Sequence, residues 1–184
     1  MNINLFGILE EEKEINNDNN LIIEKEKEYL NYINNHISKV VEAYNKLKQI
    51  DFEDEEINKG FQELGSEIEE HDKSKFSDEE FDYYRIKYYP VSDAEQENID
   101  ELFEKAWEHH YKVNPHHPEY HWNKELETAE DMPPKYIAEM ICDWYSFGDI
   151  YNWWNNNPEG RVEKSKIMSP YTLELTEKII EKLK

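Results

Sequence analysis

The side chains best suited to chemistry in this chain are its histidines and two of its acids. They follow the order His36, His71-Asp72, His109-His110, His116-His117 and Asp143. Imidazole and carboxylate groups together bind divalent transition metals. Carboxylates that face a core also need a compensating charge, because an unpaired buried carboxylate is costly. The order therefore predicts a metal site.

The elements that must position these side chains are predicted to be helices. Apolar residues recur at spacings of three and four over Leu21–Gln49, which is typical of an amphipathic helix, and His36 falls on its apolar stripe. A second helix is predicted over Ile57–Ile68. Continuing its period places His71 and Asp72 on the same inward face.

The second half of the chain repeats this helical pattern. A helix through Ile99–His110 directs His110 inward, and two prolines predict a loop at Asn114–Pro118. A further helix begins near Asp131–Pro134 and carries Asp143 on or beside its apolar stripe. Ser169 and Pro170 open the last helix as N-cap and first helical residue. With no clear strand pattern, the expected class is all-α, a bundle of about six helices.

The chain has 184 residues, a length that favours one domain with a sizeable core. We expect a single helical domain at residues 21–184. Residues 1–20 are predicted to form an N-terminal arm that docks through Leu5 and Phe6.

Composition excludes several classes of function. The net charge of −22 argues against polymeric nucleic acid as a partner, because phosphate binding needs positive charge, although a small phosphorylated molecule remains possible. Cys142 is the single cysteine, so no intramolecular disulfide can form. The sequence contains no long apolar run and no secretory leader, so we expect a cytoplasmic protein without a membrane partner.

The order His36, His71-Asp72, Asp143 resembles the HD-domain superfamily of metal-dependent phosphohydrolases, which is named for its adjacent His-Asp pair. The segments His71–Phe76 and Asn114–Tyr120 also resemble a family of bacterial and phage proteins of unknown function. That resemblance covers roughly residues 25–155. It implies an HD-like helical fold, in the cytoplasm or, for a phage protein, the host cytoplasm.

The superfamily resemblance implies a site for one or two divalent ions of Mn, Zn, Ni, Co or Fe. The ligands it implies for the first ion are His36, His71, Asp72 and Asp143. A second ion would share Asp72 as a bridge and add His110 with one of His116 and His117, of which His117 is favoured. The two histidines expected outside the ligand set are His109 and His121.

Lys75 is the residue that connects the site to phosphate chemistry. In the HD-GYP branch of the superfamily, a lysine three residues after the HD aspartate contacts the substrate phosphate, and Lys75 has this position relative to Asp72. The resemblance thus implies catalytic roles for both residues. An ordinary solvated lysine is the alternative. Ser74 replaces the glycine usual in that branch and no Gly-Tyr-Pro follows His117, so cyclic dinucleotide cleavage is not carried over.

An aromatic run, Tyr145, Phe147, Tyr151, Trp153 and Trp154, precedes the cations Arg161 and Lys164. The aromatic rings would be able to stack on a base, and Arg161 is a candidate for binding a substrate phosphate. Core packing is the favoured interpretation of the rings, because such runs normally fill protein interiors.

The expected function is a metal-dependent phosphohydrolase that acts on a nucleotide or another small phosphate ester. One alternative is an HD-type di-iron oxygenase, because the histidine-rich ligand set also suits iron. A second alternative is a non-enzymatic acidic interaction protein with a structural metal site. Neither the substrate nor the oligomeric state is predicted.

Overall fold

The structure is a computed structural model that describes the backbone at residues 5–97 and 99–184, with side chains from residue 19 onward. Its helices are α1 (Leu5–Leu47), α2 (Glu55–Leu64), α3 (Phe81–Tyr88), α4 (Asp93–Gln96), α5 (Ile99–Val113), α6 (Pro134–Ser146), α7 (Ile150–Asn156), α8 (Pro158–Lys166) and α9 (Pro170–Lys182). The all-α class is thus confirmed. The described residues form more helices than the six expected, because short helices such as α4, α7 and α8 lack a long periodic pattern. None of the helices in these ranges is long and apolar enough to cross a bilayer.

Shorter elements join these helices. Three segments form 3₁₀ helices: Gly65–Glu70, Lys73–Phe76 and Pro118–His121. Two strands, β1 (Trp122–Asn123) and β2 (Thr128–Ala129), pair antiparallel with Trp122 opposite Ala129. Strands of two residues are too short to show an alternating pattern, so the sequence did not predict them.

The first helix begins earlier than its apolar pattern indicates, at Leu5 rather than near Leu21. The predicted arm at residues 1–20 lies largely outside the described side chains, and so does its docking through Leu5 and Phe6. Both stay predictions.

The chain divides into two compact units, and the single-domain expectation stays a prediction. The first unit combines the chain up to Asn34 with Lys75–Trp107. Its interior is aromatic: the Tyr29 ring lies 5.2 Å from the Phe81 ring. The second unit combines Asn35–Ser74 with Glu108–Lys184. Every candidate metal ligand belongs to this second unit.

The core of the second unit is built on the contact between α2 and α6. Gly60 is needed there, because a Cβ at this position would lie 2.5 Å from the Pro134 carbonyl oxygen. The close approach fixes the helix that carries Asp143 against the segment that leads to His71. The predicted N-cap of α9 is confirmed, because the Ser169 side chain accepts a hydrogen bond from the Thr172 amide.

The predicted continuation of the second helix through His71 is wrong. Gly65, with φ of +48°, ends α2, and the chain continues as a 3₁₀ helix to Glu70. Glycine adopts this left-handed backbone at little cost, so it is a common helix terminator. His71 and Asp72 therefore lie in a turn and not on a helical face.

Cys142 is fully buried in this core, and burial raises the pKa of its thiol above the usual range. We expect the folded protein to resist a thiol-specific reagent at neutral pH, because the thiolate is the reactive form. Unfolding in guanidinium should expose one reactive thiol per chain. A rapid reaction of the native protein, followed by absorbance, would contradict the packing described here.

Candidate metal centre

Five separate segments of the second unit bring the candidate ligands together. His36 projects from α1, His71-Asp72 from the turn between two 3₁₀ helices, and Asp143 from α6. His110 lies near the end of α5, with His116 and His117 in the loop after it. His36, His71, Asp72, His110 and His116 are buried.

The first group of ligand atoms is formed by His36, His71, Asp72 and Asp143. The Asp143 Oδ1 atom lies 3.1 Å from His36 Nε2 and 3.6 Å from His71 Nε2. The Asp72 Oδ2 atom lies 3.6 Å from each of the same two nitrogens. Ligand atoms about 2.1 Å from one ion in tetrahedral coordination are about 3.4 Å apart. The spacing of this group therefore fits one divalent ion.

A second group is built around the other oxygen of Asp72. Its Oδ1 atom lies 3.3 Å from His110 Nε2 and 3.5 Å from His116 Nε2. The His117 Nε2 atom lies 3.0 Å from His110 Nε2. Asp72, His116 and His117 also offer ligand atoms that all lie within 4.8 Å of one another. The two oxygens of Asp72 thus face different histidines, as a bridging carboxylate requires.

Two of the buried ring nitrogens are directed into this space and make no hydrogen bond among the described residues. They are Nε2 of His71 and Nε2 of His116. Their Nδ1 atoms lie 3.0 Å and 3.2 Å from a single oxygen of Glu139. Because the carboxylate accepts from both Nδ1–H groups, it leaves both Nε2 lone pairs for a cation. Metal-binding histidines are commonly oriented in this way.

The remaining rings are held by short polar side chains. The Nδ1 atom of His110 lies 3.2 Å from Ser74 Oγ, and Asn114 Nδ2 donates to the same hydroxyl at 2.8 Å. The Nδ1 atom of His36 lies 3.5 Å from Ser146 Oγ. In His36 and His110, Nδ1 thus contacts a hydroxyl group, and Nε2 is the nitrogen that lies toward the carboxylates of the centre.

Asp72 also has an unusual backbone. Its φ is +56°, in the left-handed region that residues other than glycine rarely adopt. Aspartate tolerates this region better than most side chains. Such strain persists only where surrounding structure fixes it, and it is concentrated at functional sites. The turn lets the His71 and Asp72 side chains reach the same centre from adjacent positions.

The carboxylates dominate the electrostatics of the first group. Burial lowers the pKa of the His71 imidazole, but Asp72, Asp143 and Glu139 outweigh it and raise that pKa to about 10. Burial likewise raises the pKa of Asp143, yet the adjacent His36 and His71 imidazoles hold it well below its usual range. The buried carboxylates therefore need a compensating positive charge, which a divalent ion would supply.

The pKa of His117, in the second group, is shifted in the opposite direction. Burial, together with the neighbouring His116 and His110, lowers the pKa of His117 well below its usual value. A neutral imidazole keeps the lone pair with which it binds a metal. The chemistry of both groups therefore fits the one or two divalent ions expected from the sequence.

The structure brings together all six predicted metal ligands, and it adds His116, which the sequence left as an alternative to His117. The ligand roles themselves stay predictions. The two excluded histidines remain outside these groups. His109 is only half-buried, and His121 donates from Nε2 to the Pro115 carbonyl oxygen at 2.8 Å.

The two predicted phosphate-binding cations have other contacts. Lys75 belongs to the first unit, where its ammonium lies 5.6 Å from the centre of the Tyr84 ring. Arg161 forms an ion pair with Glu177 and lies over the Trp154 ring at 5.6 Å. No contact in the described residues tests a role in substrate binding, so both assignments stay predictions.

The aromatic run divides into two sets. Trp154 is buried in the core, and Tyr145 and Tyr151 pack against it. Phe147 is 68% exposed and Trp153 is 41% exposed, so core packing is the wrong interpretation for these two rings. Phe147 instead stacks on His36, with ring centres 5.0 Å apart.

Glu139 is the residue that sequence reasoning missed. It precedes Asp143 by four residues, so the two acids lie on the same face of α6. This spacing was a usable signal. It was masked by the number of acidic residues in the chain, most of which are solvated.

Comparison with known protein families identifies a match over most of the chain. A family model described as Family of unknown function (DUF5662) matches residues 25–182. No curated protein and no solved structure matches the chain.

Proposed function

The chain belongs to the Family of unknown function (DUF5662), and from the geometry of its candidate metal centre we propose that it is a metal-dependent phosphohydrolase. Its substrate would be a small phosphate ester, such as a nucleotide. The resemblance of His36, His71-Asp72 and Asp143 to the HD-domain superfamily supports the reaction type.

The observation that carries the proposal is the position of Asp72 between two sets of histidines. One carboxylate oxygen lies 3.6 Å from His36 and from His71, and the other lies 3.3 Å from His110. This arrangement suits two neighbouring cations that share one ligand. A pair of cations stabilises both the attacking and the leaving oxygen of a phosphoryl group and lowers the pKa of bound water.

The protein's own residues would hold and orient that centre. Glu139 fixes the rings of His71 and His116, and Ser74 fixes His110, so the ligands are preorganised before substrate arrives. The surrounding burial lowers the local dielectric and strengthens each electrostatic contact with the phosphate.

A di-iron oxygenase is the second candidate, and the abundance of imidazole favours it. The two groups contain His36, His71, His110, His116 and His117. Imidazole suits iron as well as zinc, and the same ligands accept several metals. An absorption spectrum of protein purified without added metal separates the two: a coloured di-iron species with oxygen consumption favours oxygenation.

Hydrolysis of a panel of phosphomonoesters, followed by release of inorganic phosphate, and of phosphodiesters, followed by chromatography of the monoester product, with Mn²⁺, Zn²⁺ or Ni²⁺ added, tests the proposal. We expect turnover that chelation abolishes. His110→Ala should reduce it strongly, because Nε2 of this ring lies 3.3 Å from Asp72. The matched control is His109→Ala, on the same helix and outside the ligand groups, which should retain near-native activity.

The third candidate is an acidic interaction protein with a structural metal. Chelation that lowers the melting temperature, combined with no turnover across the panel, would contradict the hydrolase and support this alternative. Equal loss of activity in His109→Ala and His110→Ala would also count against the proposed centre.

A further inference from the structure

A cavity of about 300 Å³ lies in the second unit beside the candidate metal centre. The side chains that line it include Trp144, Phe147, Asp149, Ile150, Trp153 and Lys164. Its volume falls at the lower end of the range for small-molecule pockets, which are mostly apolar with a few polar groups. The volume and the lining therefore match those of a small-molecule pocket.

Phe147 connects this cavity to the metal centre. Its ring stacks on the His36 imidazole at 5.0 Å with an angle of 26° between the planes, while 68% of the residue remains exposed. His36 in turn lies 3.1 Å from Asp143. A small molecule in the cavity would thus contact Phe147, which stacks on His36, a candidate metal ligand.

The other walls indicate which chemistry the cavity accepts. Trp144 and Trp153 present their rings 5.9 Å apart, and Trp153 is 41% exposed. Contiguous exposed apolar patches often mark binding sites, and aromatic side chains recognise planar rings by stacking. The two polar side chains have partners within the protein: Lys164 pairs with Glu119 at 3.1 Å through one of its three N–H groups, and Asp149 caps α7.

We propose that this aromatic cavity binds a planar ring, such as a nucleobase, of the phosphate ester that the metal centre hydrolyses. The inference rests on the proposed function and narrows its substrates to esters that carry such a ring. In a chain of charge −22, Lys164 also places an ammonium group at the cavity, where it favours ring oxygens and nitrogens that accept hydrogen bonds.

Titration calorimetry on the full chain tests the inference with the four ribonucleoside 5′-monophosphates and with ribose 5-phosphate, which lacks the ring. At least one nucleotide should bind about tenfold tighter than ribose 5-phosphate, in line with the strength of base–aromatic stacking. Phe147→Ala should remove most of that difference, and Phe147→Tyr should preserve it.

Two further variants complete the experiment. Trp153→Ala should weaken nucleotide binding in the same direction, while Tyr88→Ala removes an aromatic ring that is 58% exposed in the other unit and should change nothing. Metal content is measured in every variant, because Phe147 contacts His36. Ring-dependent loss with unchanged metal content supports the inference.

The failure of the inference and that of the proposed function are separable. If ribose 5-phosphate binds and is hydrolysed as well as every nucleotide, or if Phe147→Ala retains the nucleotide preference, the cavity is not the ring site and hydrolysis still stands. If nucleotides bind through their rings but no phosphate is released with any metal, the proposed function fails while the ring site remains.

Discussion

Replacing Asp72 with alanine is expected to abolish metal binding and phosphate release together. The two oxygens of Asp72 face the two ligand groups, at 3.6 Å from His71 and 3.3 Å from His110. Its loss should lower metal affinity by more than the roughly 10–100-fold that loss of a ligand-orienting partner costs. Phosphate release and metal content are measured on the same preparation.

Asp72→Asn is the companion variant that distinguishes loss of metal binding from misfolding. With φ of +56°, alanine at this position adds backbone strain, whereas asparagine tolerates the left-handed region. Asparagine keeps the shape and removes the charge, so it should fold and still lose most activity. Asp100→Ala, at an exposed residue that pairs with Lys87, is the control. An active, metal-loaded Asp72→Ala would overturn the mechanism.

Replacing Glu139 with alanine is expected to reduce metal affinity roughly 10–100-fold. The carboxylate holds His71 and His116 through their Nδ1 atoms at 3.0 Å and 3.2 Å. Burial raises the pKa of Glu139, but these two histidines outweigh it and lower that pKa to about 2, so the group is ionised at neutral pH. Without it both rings lose their orienting partner.

Glu139 is a positioning residue, and its test must separate positioning from folding. Competition titration against a chromophoric chelator measures metal affinity, and saturating metal should restore much of the turnover of Glu139→Ala. Glu139→Gln should have a smaller effect, because an amide oxygen still accepts from both rings. The control is Glu67→Ala, whose exposed ion pair with Lys135 contributes little. Native metal affinity in Glu139→Ala would refute the role.

The helical pattern predicted the inward positions of several candidate ligands well, because helical phase is a local property. His36 and His110 fall on apolar stripes, and the structure buries both rings. Asp143 follows the same rule on α6. These side chains needed only the period of their own helix to be placed on the inward face.

Features that depend on distant contacts were not predictable in this way. His71 and Asp72 reach the centre from a turn that follows the 3₁₀ helix begun at Gly65, and not from the helix that the period favoured. The role of Glu139 depends on rings from two other segments. Its spacing from Asp143 shows only that the two acids share a face of α6, and it does not show which rings Glu139 contacts.

The burial of the aromatic residues between Tyr145 and Trp154 was also not predictable from local sequence. Composition could not separate the buried Trp154 from the exposed Phe147 and Trp153, which lie in the same short stretch. Aromatic residues are usually buried, and that tendency favoured the core. The difference depends on tertiary packing, which buries Trp154 and leaves Phe147 and Trp153 exposed.

Metal analysis of the full chain, purified without added metal and then titrated with Mn²⁺, Fe²⁺ and Zn²⁺, decides whether the two ligand groups bind an ion. We expect saturable uptake of one or two divalent ions per chain by the native protein and loss of that uptake in Asp72→Asn. A folded native protein that carries no metal and takes up none of the three ions would contradict it.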